Sequence, residues 1–203
     1  MNDFQSLFIT QLAKTSVVEI LAVFFGLLSV WYAKKEKIWL YPTGIVSVII
    51  YINLTFQHKL YGDMGIQVYY LIMSIYGWYF WIRGKGAEVP VPISGNNKQE
   101  NLIVFLLFLS SFLLIRFGLG LTDSNVPGWD ALTSALAIAG MWLMARKKIE
   151  HWIAWIMLDS ISIPLYIYKG LPMTSIQFLV FTILAIWGYS KWNIKLKLKE
   201  SQS

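Results

Sequence analysis

The sequence predicts an all-α membrane protein with seven transmembrane helices, arranged as a parallel three-plus-one-plus-three repeat. Composition, the spacing of apolar runs and an internal similarity at a fixed offset carry that expectation. Of the 203 residues, 57% are hydrophobic, 16% aromatic and only 14% charged, against about 25% charged in a soluble globular domain. These proportions exclude a soluble enzyme, and they exclude disorder, which needs low hydrophobicity and high net charge. The chain has no cysteine, which removes a disulfide scaffold, an iron–sulfur cluster and a thiolate zinc site.

A helix crosses a hydrocarbon core about 30 Å thick with roughly 17 to 25 mostly apolar residues. Residues 17–33 supply the first span, opened by Glu19 where a carboxylate meets the positive end of the helix dipole. Its only upstream cation is Lys14 and no small-residue cleavage site follows, so it does not read as a signal peptide. Residues 39–56 form the second span, with Pro42 and Asn53. Residues 64–82 form the third, with Gln67 and a crowd of aromatics: Tyr69, Tyr70, Tyr76, Trp78, Tyr79 and Trp81. The stretch 83–101, with Gly84, Gly86, Pro90, Pro92 and Gly95, reads as a flexible connection. Residues 102–117 and 131–145 are short for spans and are expected to tilt or extend, with Asp130 capping the second of them. Residues 152–168 hold Asp159 and Pro164, and residues 174–189 hold Gln177. Pro42 and Pro164 are expected to kink their helices. His58 and His151 fall in loops on opposite sides and cannot share a metal.

Cations set the topology, because short cytoplasmic loops hold the excess of Lys and Arg. Alternate segments hold 13 of the 17: Lys34, Lys35 and Lys37; Arg83, Lys85 and Lys98; Arg146, Lys147 and Lys148; and Lys191, Lys195, Lys197 and Lys199. The others hold Lys14, Lys59, Arg116 and Lys169. The amino terminus is therefore expected outside and the carboxyl terminus in the cytoplasm. The net charge of +6 is explained by a leaflet-facing set of cations, so no nucleic-acid partner is expected.

A shift of 111 residues pairs Leu21 with Leu132, Trp31 with Trp142, Gly77 with Gly188 and Trp81 with Trp192. Glu19 meets Asp130 in the same register. Residues 17–82 then form a first three-helix bundle, 83–127 a cytoplasmic loop plus linker helix, 128–192 a second bundle and 193–203 a basic cytoplasmic tail. One linker span after an odd triple leaves the two bundles in the same orientation, related by an axis along the membrane normal. Two like bundles rocking about a shared site would give alternating access.

Polar residues inside spans point to function by default, and they are few: Asn53, Gln67, Asp159 and Gln177. Trp152, Trp155 and Asp159 stand at i, i+3 and i+7 on one helical face. Two indoles and a carboxylate make a groove for a flat, polar, cationic ligand, each cation–π contact contributing about 0.5 to 2 kcal/mol. Trp152 also fits an interfacial aromatic belt, and Asp159 an interhelical hydrogen bond. No Walker loop, HExxH, GxSxG or Cys–His pairing is present, so neither catalysis nor a cofactor is expected. A membrane-embedded enzyme and a proton-coupled carrier using Asp159 as a relay stand as the competing classes.

The WxxWxxxN/D phrase from Trp152 to Asp159 resembles the signature of the Pnu family of bacterial vitamin transporters. Further matches lie in the segment from Gly140 to Lys148, from Leu60 to Gln67 and in Tyr76, Gly77 and Trp78, and the resemblance runs from about Val17 to Trp192. It implies a SWEET-like three-plus-one-plus-three fold in the bacterial inner membrane, a homotrimer, and facilitated diffusion of a small vitamin trapped by a cytoplasmic kinase. Nicotinamide riboside is the leading substrate and thiamine the alternative, and riboflavin or deoxynucleosides are carried by other members. Nicotinamide riboside carriers often have Asn where this chain has Asp159; an anion there serves either cationic vitamin. The implied site is Trp152, Trp155 and Asp159 with Gln67, Asn53 and Gln177.

Overall fold

Seven helices follow one another in the computed structural model, which describes Ser6, Thr10 and residues 15–57, 61–83, 91–122 and 125–201. Lys14, His58, Lys59, Leu60, residues 84–90 and the last two residues of the tail lie outside the described residues. The helices are α1 (Val17–Lys34), α2 (Leu40–Gln57), α3 (Tyr61–Arg83), α4 (Lys98–Leu119), α5 (Pro127–Ala145), α6 (Glu150–Tyr168) and α7 (Pro172–Glu200). Among the described residues there is no strand, only an isolated bridge between Ser94 and Lys148.

Local chemistry sets the starts. The Ser16 hydroxyl accepts from the Glu19 N–H at 3.2 Å while the Glu19 carboxylate accepts from the Ser16 N–H at 2.8 Å, a capping box that opens α1. Asn97 and Glu100 do the same for α4 at 2.8 and 2.9 Å. Pro127 and Pro172 open α5 and α7, where a missing N–H costs nothing. The two short spans extend, α4 to 22 residues and α5 to 19. Among the described residues, α1, α2, α4 and α7 are long and apolar enough to cross a membrane. Every helix but α4 contributes side chains to the interior cavity.

Several expectations are corrected. Pro42 stands in the first turn of α2, where no helical hydrogen bond is lost, so it does not kink the helix as Pro164 within α6 can. Asp130 stands in the first turn of α5, as expected of a carboxylate at a helix start, and its side chain pairs with Lys169 across 2.5 Å. His151 lies in the first turn of α6, fully buried, rather than in a loop. The connection into α4 is fixed where it is described: Ile93 is buried, Ser94 accepts from the Ile149 N–H at 3.0 Å, and the Asn96 N–H donates to Glu150 at 2.7 Å.

Helix α1 packs on α2 and α7, α3 on α2 and α5, α5 on α4 and α6, and α6 on α7. The turns between α1 and α2 and between α5 and α6 have the same backbone. The Glu36 N–H donates to the Ala33 carbonyl and the Lys37 N–H to Tyr32, both at 3.0 Å; Lys147 and Lys148 donate likewise to Met144 and Leu143, both at 3.0 Å. Glu36 and Lys147 share a positive φ, 54° and 58°. Across the molecule, the Trp81 indole N–H donates to the Met144 carbonyl at 3.3 Å and the Trp192 indole N–H to the Ala33 carbonyl at 3.2 Å. Glu36 and Lys147 meet at 3.2 Å, and Lys195 joins Glu36 at 2.7 Å. The counterparts Tyr32 and Leu143, Ala33 and Met144, Glu36 and Lys147, Lys37 and Lys148, and Trp81 and Trp192 each stand 111 residues apart.

Candidate functional site

A cavity of about 450 Å³ lies between the two helix triples. One wall is made of small residues, Gly26 and Ser29 on α1 and Gly44 and Ser47 on α2. These let the backbones approach closely, and Ser29 and Ser47 spend their hydroxyls on the Leu40 and Ala22 carbonyls at 2.7 and 2.8 Å. The opposite wall is aromatic and polar: Trp152, Trp155 and Asp159 on α6, Gln67 and Tyr70 on α3, and Gln177 on α7.

The helical spacing of α6 turns Trp152, Trp155 and Asp159 toward this space together. Trp155 fits because position 140 is glycine; a Cβ there would lie 3.3 Å from the indole. Its ring also meets Tyr70 edge-on, with centroids 6.4 Å apart. Asp159 is 4% exposed, and among the described residues no side chain is hydrogen-bonded or ion-paired to it. An unpaired carboxyl at such depth carries a large desolvation penalty, which a ligand bearing a positive charge or a hydroxyl offsets.

Trp152 is no belt residue. At 1% exposure it seals the cation-rich end of the cavity, packed on Gly188 and edge-on to Trp192 at 5.7 Å. His151 lies beside it, ring centroids 4.3 Å apart, with Nδ1 bonded to the Lys148 carbonyl at 2.6 Å. Trp152 Nε1 and His151 Nε2 are buried without partners. Trp155 is thus half-buried on the cavity wall, and Trp152 its floor.

Of the six residues singled out in the sequence, five line the cavity and one does not. Asn53 is exposed on α2 and accepts from the Gln57 side chain at 3.0 Å. Its place is taken by Tyr51, whose hydroxyl faces Gln177. Tyr51, Asp63 and Tyr166 ring the other end of the cavity and were not legible as site residues. The glycine and serine pairs spaced three apart on α1 and α2 were a usable signal for the small-residue wall. Among the described residues no group of three His, Cys, Asp or Glu side chains can hold a metal.

Among the described residues, seven helices with apolar outer faces surround a mostly apolar cavity that carries a few polar side chains, the arrangement of a membrane carrier for a small molecule. Residues 16–194 match the family described as nicotinamide mononucleotide transporter, and the chain belongs to that family. It is similar to the nicotinamide riboside transporter PnuC of Escherichia coli, 28% identical over 87% of this chain and 85% of that one. It is also similar to the riboflavin/roseoflavin transporter RibM of Streptomyces davaonensis, 25% identical over 84% of this chain and 81% of that one. The crystal structure of the vitamin B3 transporter PnuC shares the fold with a TM-score of 0.72 at 23% identity, covering 96% of this chain and 88% of that one. The protein is a multi-pass transporter of the bacterial inner membrane and not an enzyme.

Proposed function

We propose that this protein carries nicotinamide riboside into the cell by facilitated diffusion, with Trp155, Asp159, Gln67 and Gln177 as ligands and Trp152 as the closed floor. The observation behind this reading is the buried, unpaired Asp159 beside the Trp155 ring inside a cavity of about 450 Å³. A pyridinium stacks on the indole while its charge faces the carboxylate, and the ribose hydroxyls reach the two amides. The relatives named for nicotinamide riboside support the choice of substrate. No relative reported above is named for thiamine, the alternative in the sequence; the riboflavin relative makes a flat neutral ring the stronger competitor.

The parallel, SWEET-like arrangement belongs to the same proposal: bundles 17–82 and 128–192, a linker in 83–127 and a basic tail from 193, with the amino terminus outside and the carboxyl terminus in the cytoplasm. The matched turns and the reciprocal Trp81 and Trp192 bonds support it. Trapping by a cytoplasmic vitamin kinase gives the net direction. The exposed apolar face of α4, including Leu102, Phe105, Leu113 and Phe117, suits the homotrimer that the family resemblance implies.

Calorimetric titration of the purified protein with nicotinamide riboside, riboflavin and thiamine tests the substrate. Saturable binding of nicotinamide riboside alone is expected; preference for either of the others replaces it. Counterflow in proteoliposomes that survives dissipation of the proton gradient is expected, and its collapse would put Asp159 in a proton relay instead.

A further inference from the structure

At the cation-rich end of the bundle, Lys34 closes α1 with only 5% of its surface exposed. Its ammonium lies 3.6 Å from the Trp31 ring centroid and 4.9 Å from that of Trp187 on α7. Lys35 sits over the other part of this surface, 4.8 Å from the Trp31 ring. The like charges of Lys35 and Lys191 bear on Lys34. Lys34 and Lys35 therefore share one crevice between α1 and α7 with Trp31 and Trp187, and Lys191 stands one helical turn beyond Trp187 on α7. The ion pairs among the described residues all use other cations: Arg146, Lys147, Lys148, Lys169 and Lys195.

The crevice has a counterpart. A shift of 111 carries Trp31 to Trp142, Lys35 to Arg146, Trp187 to Tyr76 and Lys191 to Phe80, which places the equivalent crevice between α5 and α3. There the Arg146 guanidinium lies 5.5 Å from the Trp142 ring and 5.2 Å from the Phe80 ring, and it reaches the Tyr76 hydroxyl at 3.5 Å. That cation has an anion supplied by the chain itself: Glu100, at the start of the linker helix, pairs with Arg146 at 3.8 Å and Lys148 at 2.6 Å. Helix α4 packs on α5 and leaves the α1–α7 crevice uncovered. Among the described residues, the aromatic-and-cation frame thus carries a carboxylate in one half, while none is paired with Lys34, Lys35 or Lys191 in the other.

We propose that the α1–α7 crevice binds the phosphate headgroup of an anionic phospholipid, with Lys34, Lys35 and Lys191 as its ligands. Of the two cations that hold Glu100, Arg146 corresponds to Lys35 and Lys148 to Lys37, so the phosphate site shares Lys35 with the Glu100 position and adds Lys34 and Lys191, which stand where the other half has Ala145 and Phe80. Any phosphate monoanion would satisfy the three ammonium groups; the apolar surroundings select a lipid. Trp31 and Trp187 are 38% and 54% exposed, and the same helix faces continue into the exposed Phe24 on α1 and Ile183 on α7. A headgroup in the crevice would lay its acyl chains along that path, while the indoles sit at the level where such rings collect. Basic pockets between spanning helices recognise anionic headgroups by this chemistry. The site needs only that this end of the bundle sit at headgroup depth, and it is independent of which vitamin is carried.

Native mass spectrometry of the full chain, released from micelles containing phosphatidylglycerol or phosphatidylcholine, tests the proposal. Wild type is expected to retain phosphatidylglycerol at least tenfold better than phosphatidylcholine. The Lys34→Gln/Lys191→Gln double variant should lose that preference, whereas Lys197→Gln/Lys199→Gln in the tail should keep it. Should loss of Lys34 prevent folding, Lys35→Gln/Lys191→Gln alters exposed side chains alone and should weaken retention several-fold. Undiminished preference in the crevice variants overturns the site. Displacement of the lipid by millimolar inorganic phosphate, with equal thermal stabilisation by either, overturns the lipid as the source of the anion.

Discussion

The turn between α1 and α2 and the turn between α5 and α6 are the same piece of backbone with different work to do. Both place a residue at positive φ, both return N–H groups to the preceding helix in the same pattern, and both receive an indole N–H from the opposite half. One helical turn further on, the side chains part company. Gly44, Val48 and Leu40 stand in the first half where Trp155, Asp159 and His151 stand in the second. The backbone is matched at the two turns, where each half accepts an indole N–H from the other, and the side chains differ where they line the cavity. An asymmetric ligand needs one wall that binds and one that leaves room. Two identical walls of Trp and Asp would fill the cavity and repel each other across it.

The sharpest way to break the comparison is at the two glycines beneath the floor residues. A Cβ on Gly188 would collide with the Trp152 ring, as one on Gly77 would with Tyr41, while Gly65 has open space. Alanine in a helix normally adds about 1 kcal/mol over glycine. Gly188→Ala and Gly77→Ala should instead lower stability by about 2 to 3 kcal/mol through overpacking, and Gly65→Ala should raise it slightly. Thermal unfolding in detergent reads all three, and equal behaviour of the three would dissolve the matched-floor picture.

Asp159 comes next. Asp159→Ala should weaken binding of a cationic vitamin by about ten- to a hundredfold, the effect of losing a charged hydrogen-bond partner. Asp159→Asn should retain the part that comes from hydrogen bonding. Unchanged calorimetric affinity in both would leave Asp159 as interhelical glue. In the matched turns, Glu36→Gln should cost about 2 kcal/mol, because it strands the Lys147 ammonium, whose side chain is 7% exposed. Burial pulls that ammonium below the ordinary lysine range, against the opposing pull of Glu36. The folded state therefore binds fewer protons than the unfolded chain as pH approaches 10.5, and stability contributed by this group rises with pH there. The variant, lacking the opposing carboxylate, should begin that rise at lower pH, as a pH series of melting curves would record. The smallest effect is assigned to Asn53→Ala, which should leave affinity within twofold because the side chain points away from the cavity.

Much of this was legible in the chain. The seven apolar segments, the Glu19 cap, the pairing of Trp81 with Trp192 and the common face of Trp152, Trp155 and Asp159 all follow from local spacing. Asn53 misled because depth in a span says nothing about which way a helix faces: the side chain is exposed and bonds Gln57. His151 misled because a histidine after three cations looks like a loop, although its backbone N–H donates to the Lys148 carbonyl at 3.2 Å in the first turn of a helix. The connection before α4 looked loose from its glycines and prolines, yet Ser94 and Asn96 find partners 53 or more residues away that composition cannot reveal.

What the sequence by itself determined is therefore the membrane class, the helix count and the face that carries the candidate site, since each depends on residues a few positions apart. Only the tertiary structure decided that Trp152 closes the cavity while Trp155 stands half-buried on its wall. It alone decided that a wall of glycine and serine leaves room opposite, and that Arg146 has Glu100 beside it while, among the described residues, no carboxylate pairs with Lys34 or Lys35. These depend on which helices meet. That is set by the packing of surfaces a hundred residues apart, a relation no local pattern contains.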